Sequence, residues 1–197
     1  MAKFRLGSLW RSESGAAAVE FAIVAPLLVL LFAGFMEFGS LLFQQQQLEK
    51  SVRDAARYLS YSSSSTWTSS PGTFSCSTGS DPSSYLVAAE NMVLYGSPCP
   101  GSSPIITGMT AAACTGTQSP WVCGQVTITA GSTSVTAPTG STSGNSCSMT
   151  IPTVTISVST PYSDVIGLLS LLGMGSFTLT TTHEERVLSN ASVESCT

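Results

Sequence analysis

The stretch that decides the fold is AAAVEFAIVAPLLVLLFAGFMEFGSLLF, residues 16–43 of the 197-residue chain. Its residues are apolar or small except for Glu20, Glu37 and Ser40. A helix of this length would measure about 42 Å at about 1.5 Å per residue, which exceeds the roughly 30 Å of a bilayer's hydrocarbon core. The stretch is therefore predicted to be a transmembrane helix.

The helix is predicted to continue beyond the membrane to about residue 60, because residues 44–60 contain neither Gly nor Pro. Apolar residues recur there at spacings of three and four, which is the pattern of a helix with one buried face. These residues are Leu48, Val52, Ala55, Ala56 and Leu59. A folded domain is therefore expected to pack against this part of the helix.

The flanking charges predict how the helix is oriented. Lys3, Arg5 and Arg11 precede the apolar stretch, so the positive-inside rule places the N-terminus in the cytoplasm and the rest of the chain outside. Release by signal peptidase is the alternative. It is disfavoured because the stretch is longer than the about 7–15 residues of a typical signal-peptide core, and no A-x-A site follows before Gln44.

The composition disfavours a nucleic-acid partner. Only 9% of the residues are charged and the net charge is −4. An ordinary soluble domain has about 25% charged residues, so this surface is unusually neutral and rich in hydroxyl groups. No basic patch is available to neutralise several phosphates.

The cysteines indicate disulfide bonds in an oxidising compartment. All six follow the apolar stretch: Cys76, Cys99, Cys114, Cys123, Cys147 and Cys196. Six cysteines allow 15 pairings, so the connectivity stays open at this point. A zinc site is the alternative, but the closest pair is Cys114 and Cys123 and the chain has one histidine. We expect no metal and no cofactor.

The remaining sequence predicts a small mixed domain. Residues 61–84 are rich in Ser, Pro and Gly and are predicted to be a linker. A helical pattern over 84–94 ends before Gly96 and Pro98. Alternating apolar and polar residues predict strands at 121–130, 151–159 and 177–182. The predicted fold class is α+β, with a long N-terminal transmembrane helix that extends into a small antiparallel-sheet domain over residues 85–197.

Residues 165–174, VIGLLSLLGM, form a short apolar insertion late in the chain. The insertion is too short to span a bilayer. It is expected to be a core helix, rather than a surface loop that touches lipid or a partner.

No pattern indicates an enzyme. The sequence His183-Glu-Glu-Arg186 lacks the second histidine that a zinc protease helix requires, and His183 is expected at a strand end. No Gly-x-Ser-x-Gly elbow or phosphate-binding loop is present. We therefore expect no catalytic residue.

Glu20 is the residue that fits a membrane helix least well. An ionised carboxylate in the membrane costs several kcal/mol unless it has a partner or stays at the interface. Cleavage after Gly15 would make Ala16 the N-terminus, and its ammonium group could pair with the Glu20 carboxylate. Between neighbouring subunits, this pair would set the axial register of packed helices. A carboxylate near the cytoplasmic headgroups is the alternative.

These residues belong to a longer pattern. Gly15-Ala-Ala-Ala-Val-Glu-Phe21 is followed by an apolar helix with Pro26, by Phe35-Met-Glu-Phe-Gly39 and by Ala55-Ala-Arg-Tyr58. In this pattern residues 12–61 resemble the TadE-like family of the tight-adherence (Flp, type IVc) pilus system. Members are minor pseudopilins with a basic leader, a prepilin cleavage after glycine, Glu at the fifth mature position and an aromatic residue at the sixth. The charged residues 183–186 depart from the family's usual ending.

The resemblance implies a basic leader at 1–15, a transmembrane helix at 16–43 and its extracytoplasmic continuation at 44–60. Gly15 and Ala16 would flank the scissile bond, and Glu20 and Phe21 would serve peptidase recognition and subunit assembly. The implied partners are the inner membrane, a prepilin peptidase, other pilin or pseudopilin subunits and the assembly machinery.

The implied function is assembly of an adhesive pilus. The implied location is the bacterial inner membrane, crossed once, with a cytoplasmic N-terminus and a periplasmic domain, or the pilus itself. The alternative function is an unprocessed, membrane-anchored binding domain outside the cytoplasm. The role of Glu37 is open between an interface position and a hydrogen bond within a helix bundle.

Overall fold

The computed structural model describes residues 13–69, 71, 76, 82–116, 118–138, 146–162, 164–171, 173–188 and 192–196. Its helices are α1 (Glu13–Ser60), α2 (Tyr85–Tyr95) and α3 (Leu168–Leu171). Its strands are β1 (Cys114–Thr115), β2 (Trp121–Cys123), β3 (Val126–Pro138), β4 (Ser146–Pro161), β5 (Thr178–Arg186) and β6 (Ser192–Cys196). The strands pair antiparallel after a long apolar helix, so the predicted α+β class is confirmed.

The chain divides into two compact units, which are described separately below. The first, the helix unit, comprises Met1–Leu41 and Asp164–Gly175. The second, the sheet unit, comprises Leu42–Ser163 and Ser176–Thr197.

In the helix unit, α1 runs without a break through Pro26. It is long and apolar enough to cross a membrane, and none of its most apolar 18-residue window is buried within the chain. Phe21, Ile23 and Phe35 are among the large apolar side chains that it exposes. Such a surface requires lipid or another apolar partner to cover it.

The last turns of α1 belong to the core of the sheet unit. The five apolar residues predicted from their spacing are all fully buried: Leu48, Val52, Ala55, Ala56 and Leu59. Tyr58 contacts Tyr85 of α2, with 6.0 Å between the ring centroids. The predicted burial of one face of this helix is therefore confirmed.

The sheet has the order β1-β2-β3-β4-β5, and β6 also pairs with β4. β3 and β4 form the longest pairing, from Val126 opposite Val158 to Pro138 opposite Ser146. Along its other edge, β4 pairs first with β6 and then with β5. The alternation of Val154, Ile156 and Val158, all buried, places one face of β4 in the core.

The helix predicted over 84–94 is present as α2. The Ser84 hydroxyl accepts a hydrogen bond from the Val87 amide at 3.2 Å and caps the first turn. Gly96 ends the helix at a φ of 69°, a left-handed conformation that favours glycine. Both boundaries thus follow from local sequence.

One expectation about the sheet needs correction. Strand β3 runs on to Pro138, eight residues beyond the predicted end of this strand at residue 130. Within the predicted linker at 61–84, Trp67 is fully buried and packs edge-on against Trp121 with ring centroids 5.7 Å apart.

The expectation that residues 165–174 form a core helix is wrong. Only Leu168–Leu171 are helical, and Val165 and Leu171 are 67% and 82% exposed. The segment belongs to the helix unit and not to the core of the sheet unit.

Candidate functional site

The residues predicted for cleavage and assembly lie on the first turns of α1. Gly15 and Ala16 follow the helix start at Glu13 by two and three positions. Glu20 is four residues after Ala16, so the two share one face of the helix. Phe21 is 68% exposed, and Gly15, Ala16 and Glu20 are exposed as well.

Glu20 has no internal partner in the described part of the chain, where no hydrogen bond or ion pair reaches its carboxylate.

Glu37 lies in a different environment from Glu20. Its side chain is 5% exposed, and its two carboxylate oxygens accept the backbone N–H groups of Val165 and Ile166, each at 3.2 Å. The question left open by the sequence is answered by these contacts, since Glu37 binds a segment of its own chain. No sequence signal pointed to this contact, because the partners are 128 and 129 positions away.

Among the described side chains of the sheet unit, two disulfide bonds are formed, Cys76 to Cys99 and Cys114 to Cys123. The first joins the segment after α1 to the segment after α2, and the second joins β1 to β2. In the pairing of β4 with β6, Cys147 stands directly opposite Cys196. The connectivity that the sequence left open is thereby given for four of the six cysteines.

Glu90 is a buried carboxylate in the sheet unit, with 2% of its surface exposed. Its Oε1 accepts the Ala112 amide at 2.8 Å. Burial raises the pKa of Glu90, and the Ala112 hydrogen bond opposes this effect. Its carboxylate lies near the sulfur atoms of Cys114 and Cys123. These sulfurs are bonded to each other, so they offer no thiolates for a three-ligand metal site.

His183 lies within β5 and not at a strand end. Its Nε2 is 3.2 Å from a carboxylate oxygen of Glu185, and about a third of each side chain is exposed. Its backbone position is opposite Ile156 of β4. The two side chains form a surface pair of the kind that contributes at most about 1 kcal/mol.

These features define an α+β protein with one N-terminal helix able to cross a membrane and a disulfide-bonded sheet unit. Residues 15–57 match the family model described as TadE-like protein. The matched range includes Gly15, Ala16, Glu20, Phe21 and Glu37. Residues 15–57 are thus similar to the TadE-like family, and the resemblance seen in the sequence is confirmed for this segment.

The TadE-like match supports a pilus-associated, membrane-associated protein, and the family is typically structural and not catalytic. Comparison with curated proteins and with solved structures finds no significant match to the chain.

Proposed function

We propose that this protein is a minor pseudopilin that takes part in assembly of a tight-adherence (Flp, type IVc) pilus and thereby supports adhesion. The observation that carries the proposal is Glu20, an exposed carboxylate that no group in the described part of the chain neutralises. It stands in the segment that matches the TadE-like model. A carboxylate in an apolar helix requires a partner. Glu37 finds its partners in its own chain, but Glu20 has none in the described residues, so its partner is expected from outside.

That partner is the N-terminal ammonium group of Ala16 in a neighbouring subunit, created when a prepilin peptidase removes the basic leader at 1–15. Ala16 and Glu20 are four residues apart, which corresponds to about 6 Å along a helix axis. Pairing between subunits would therefore shift neighbouring helices by about this distance and give every subunit the same register. Phe21 contributes to contacts with the peptidase and with neighbouring helices.

The proposed topology follows from the charges around α1. Residues 1–15 face the cytoplasm, residues 16–43 cross the inner membrane, and residues 44–60 lead into a periplasmic domain that includes residues 85–197. The exposed apolar surface of α1 is covered by lipid before assembly and by helices of other subunits afterwards. In the peptidase reaction this protein is the substrate.

The first experiment determines the N-terminal sequence and intact mass of the protein from native membranes, without reduction. A start at Ala16 is expected. A start at Met1 or Ala2 would contradict processing and favour the alternative, an unprocessed membrane-anchored binding domain. Gly15→Val should block processing, whereas Gly39→Val should not, since no atom lies within 4 Å of a Cβ added at Gly39.

Glu20→Ala tests the role in assembly. The variant should still insert in the membrane and be cleaved, but piliation should fall strongly because the subunit lacks its charge partner. Glu49→Ala is the matched control, since Glu49 is an exposed carboxylate on the same helix but outside the apolar stretch. Normal piliation with Glu20→Ala would refute the pairing.

A further inference from the structure

We propose that the segment Asp164–Gly175, here called the apolar loop, lies within the membrane beside α1 and is covered by lipid acyl chains. The proposal rests on anchoring of α1 in a membrane and not on the pilus role. The loop is part of the same compact unit as the first 41 residues of the chain. No charged residue or histidine occurs between Asp164 and His183.

Four large apolar side chains of the apolar loop are exposed among the residues that the structure describes. Val165 and Leu171 are 67% and 82% exposed, and Ile166 and Met174 are about half exposed. A run of large apolar side chains with this exposure is unfavourable in water. It is the usual composition of a surface that another apolar phase covers.

The backbone hydrogen bonds of the apolar loop indicate that this apolar phase is the hydrocarbon of a membrane. In hydrocarbon every N–H group requires an acceptor within the protein, whereas in water the solvent supplies one. Glu37 accepts the N–H groups of Val165 and Ile166, and Asp164 accepts those of Gly167 and Ser170.

Three further donors of the loop are satisfied in the same internal way. The N–H groups of Leu171, Gly173 and Met174 bind carbonyl groups within the loop, at 2.9 to 3.2 Å. Two carboxylates and three carbonyl groups thus serve seven backbone donors of this segment without water. An irregular backbone is tolerated at membrane depth under this condition.

The position of the loop along α1 also fits the membrane. An apolar groove of about 610 Å³ is lined by both parts of the helix unit, including Ala22, Pro26 and Ala33 of α1 and Ile166 and Leu171 of the loop. Ala22 lines this groove, and Glu37 binds the loop through hydrogen bonds. The two residues are about 22 Å apart along the helix axis, and both lie within the apolar stretch at 16–43.

The groove has no polar group among its lining side chains that could orient a specific ligand or a specific partner. Acyl chains fill such a space without directional contacts, and the bilayer already covers the apolar stretch of α1 at this depth. The geometry therefore favours lipid over a protein partner.

An introduced tryptophan can report the surroundings of the loop. The natural indoles of Trp67 and Trp121 are buried in the sheet unit, and Trp10→Phe removes the remaining one. The test variant adds Leu171→Trp to this background. The control adds Leu188→Trp instead. Leu188 is 70% exposed and follows β5 in the sheet unit.

The full-length proteins are reconstituted, without reduction, in phosphatidylcholine vesicles with plain or brominated acyl chains. Flotation of the vesicles first establishes that α1 anchors each protein. Bromine quenches only indoles within the hydrocarbon region. The fluorescence added by Leu171→Trp should fall several-fold in brominated vesicles and should resist quenching by acrylamide. The fluorescence added by Leu188→Trp should be quenched by acrylamide and should be unaffected by bromine.

Other outcomes would overturn the inference in distinguishable ways. If the proteins float and acrylamide but not bromine quenches Leu171→Trp, the loop lies in water. Emission that resists both quenchers would mean that protein, and not lipid, covers the loop. Failure to float would refute anchoring by α1, and with it the proposed function.

A second pair of variants tests how Glu37 holds the loop. Glu37→Ala leaves two N–H groups without acceptors, so bromine quenching of Leu171→Trp should be largely lost in this background. Glu37→Gln keeps one acceptor oxygen and should retain an intermediate level of quenching. Unchanged quenching with Glu37→Ala would show that Glu37 does not hold the loop in place.

Discussion

Leu59→Ala tests whether the last turns of α1 belong to the core of the sheet unit. Leu59 is fully buried. The change removes three carbon atoms, whose transfer to water costs about 2.4 kcal/mol at about 0.8 kcal/mol per carbon group. The cavity left behind adds to this cost, so the free energy of unfolding should fall by about 3 kcal/mol.

The measurement is urea unfolding of the full-length protein in detergent micelles, without reduction. Trp67 and Trp121 report on it, because both are buried in the sheet unit and contact each other. With a denaturant slope of about 2 kcal/mol per molar, the unfolding midpoint should decrease by about 1.5 M.

Lys50→Ala is the control, since Lys50 is exposed on the same helix. Its midpoint should stay within about 0.3 M of the parent protein, because surface substitutions usually change stability by less than about 0.5 kcal/mol. Equal midpoints for Leu59→Ala and Lys50→Ala would refute the placement of α1 in this core.

Three further predictions concern the sheet unit. Because burial raises the pKa of Glu90 above 4.5, the folded state prefers the protonated carboxyl, and the free energy of unfolding should fall as the pH rises from 4.5 through the raised pKa. The urea midpoint of Glu90→Gln should not show this decrease with pH. An equal pH dependence in Glu90→Gln and the parent protein would contradict the prediction. Cys76 and Cys99 are 23 positions apart, whereas Cys114 and Cys123 are 9 apart. Replacing the first pair by serine should therefore lower the free energy of unfolding more than replacing the second pair. The entropy of loop closure predicts losses of about 3.4 kcal/mol for the first pair and about 2.6 kcal/mol for the second. A lower unfolding midpoint for the variant that lacks the second pair would refute this explanation. Gly96→Ala should lower stability by at least about 1 kcal/mol, because a left-handed conformation disfavours any Cβ. An added Cβ would also lie 3.1 Å from Cδ1 of Ile105, and an unchanged thermal midpoint would contradict the predicted strain.

Features that depend on neighbouring residues could be predicted from the sequence. The buried face of α1 follows from the spacing of Leu48, Val52 and Leu59. The ends of α2 follow from a serine cap and a glycine stop, at Ser84 and Gly96. The candidate cleavage and assembly residues are also local, because one helical turn relates Gly15 and Ala16 to Glu20.

Features that depend on distant pairing could not be predicted. The outer part of β3, from Gly131 to Pro138, is held by backbone pairing with β4 and has little alternation of apolar and polar side chains. β6 likewise depends on β4 for its pairing. The role of Glu37 requires an apolar loop that is more than 120 positions away. That loop was expected in the core because apolar content alone does not distinguish burial in protein from exposure to lipid.

The burial of the last turns of α1 has a consequence for the order of events during synthesis. The core extends from Leu48 to Val187, so the ribosome completes it about 130 residues after the helix has been made. At about 5–20 residues per second, the apolar face of α1 waits roughly 6–26 seconds for the last strands. During this interval Cys76, Cys99, Cys114 and Cys123 have all been made, so both disulfides can close before β5 arrives. The nascent protein is therefore most exposed to aggregation in this period.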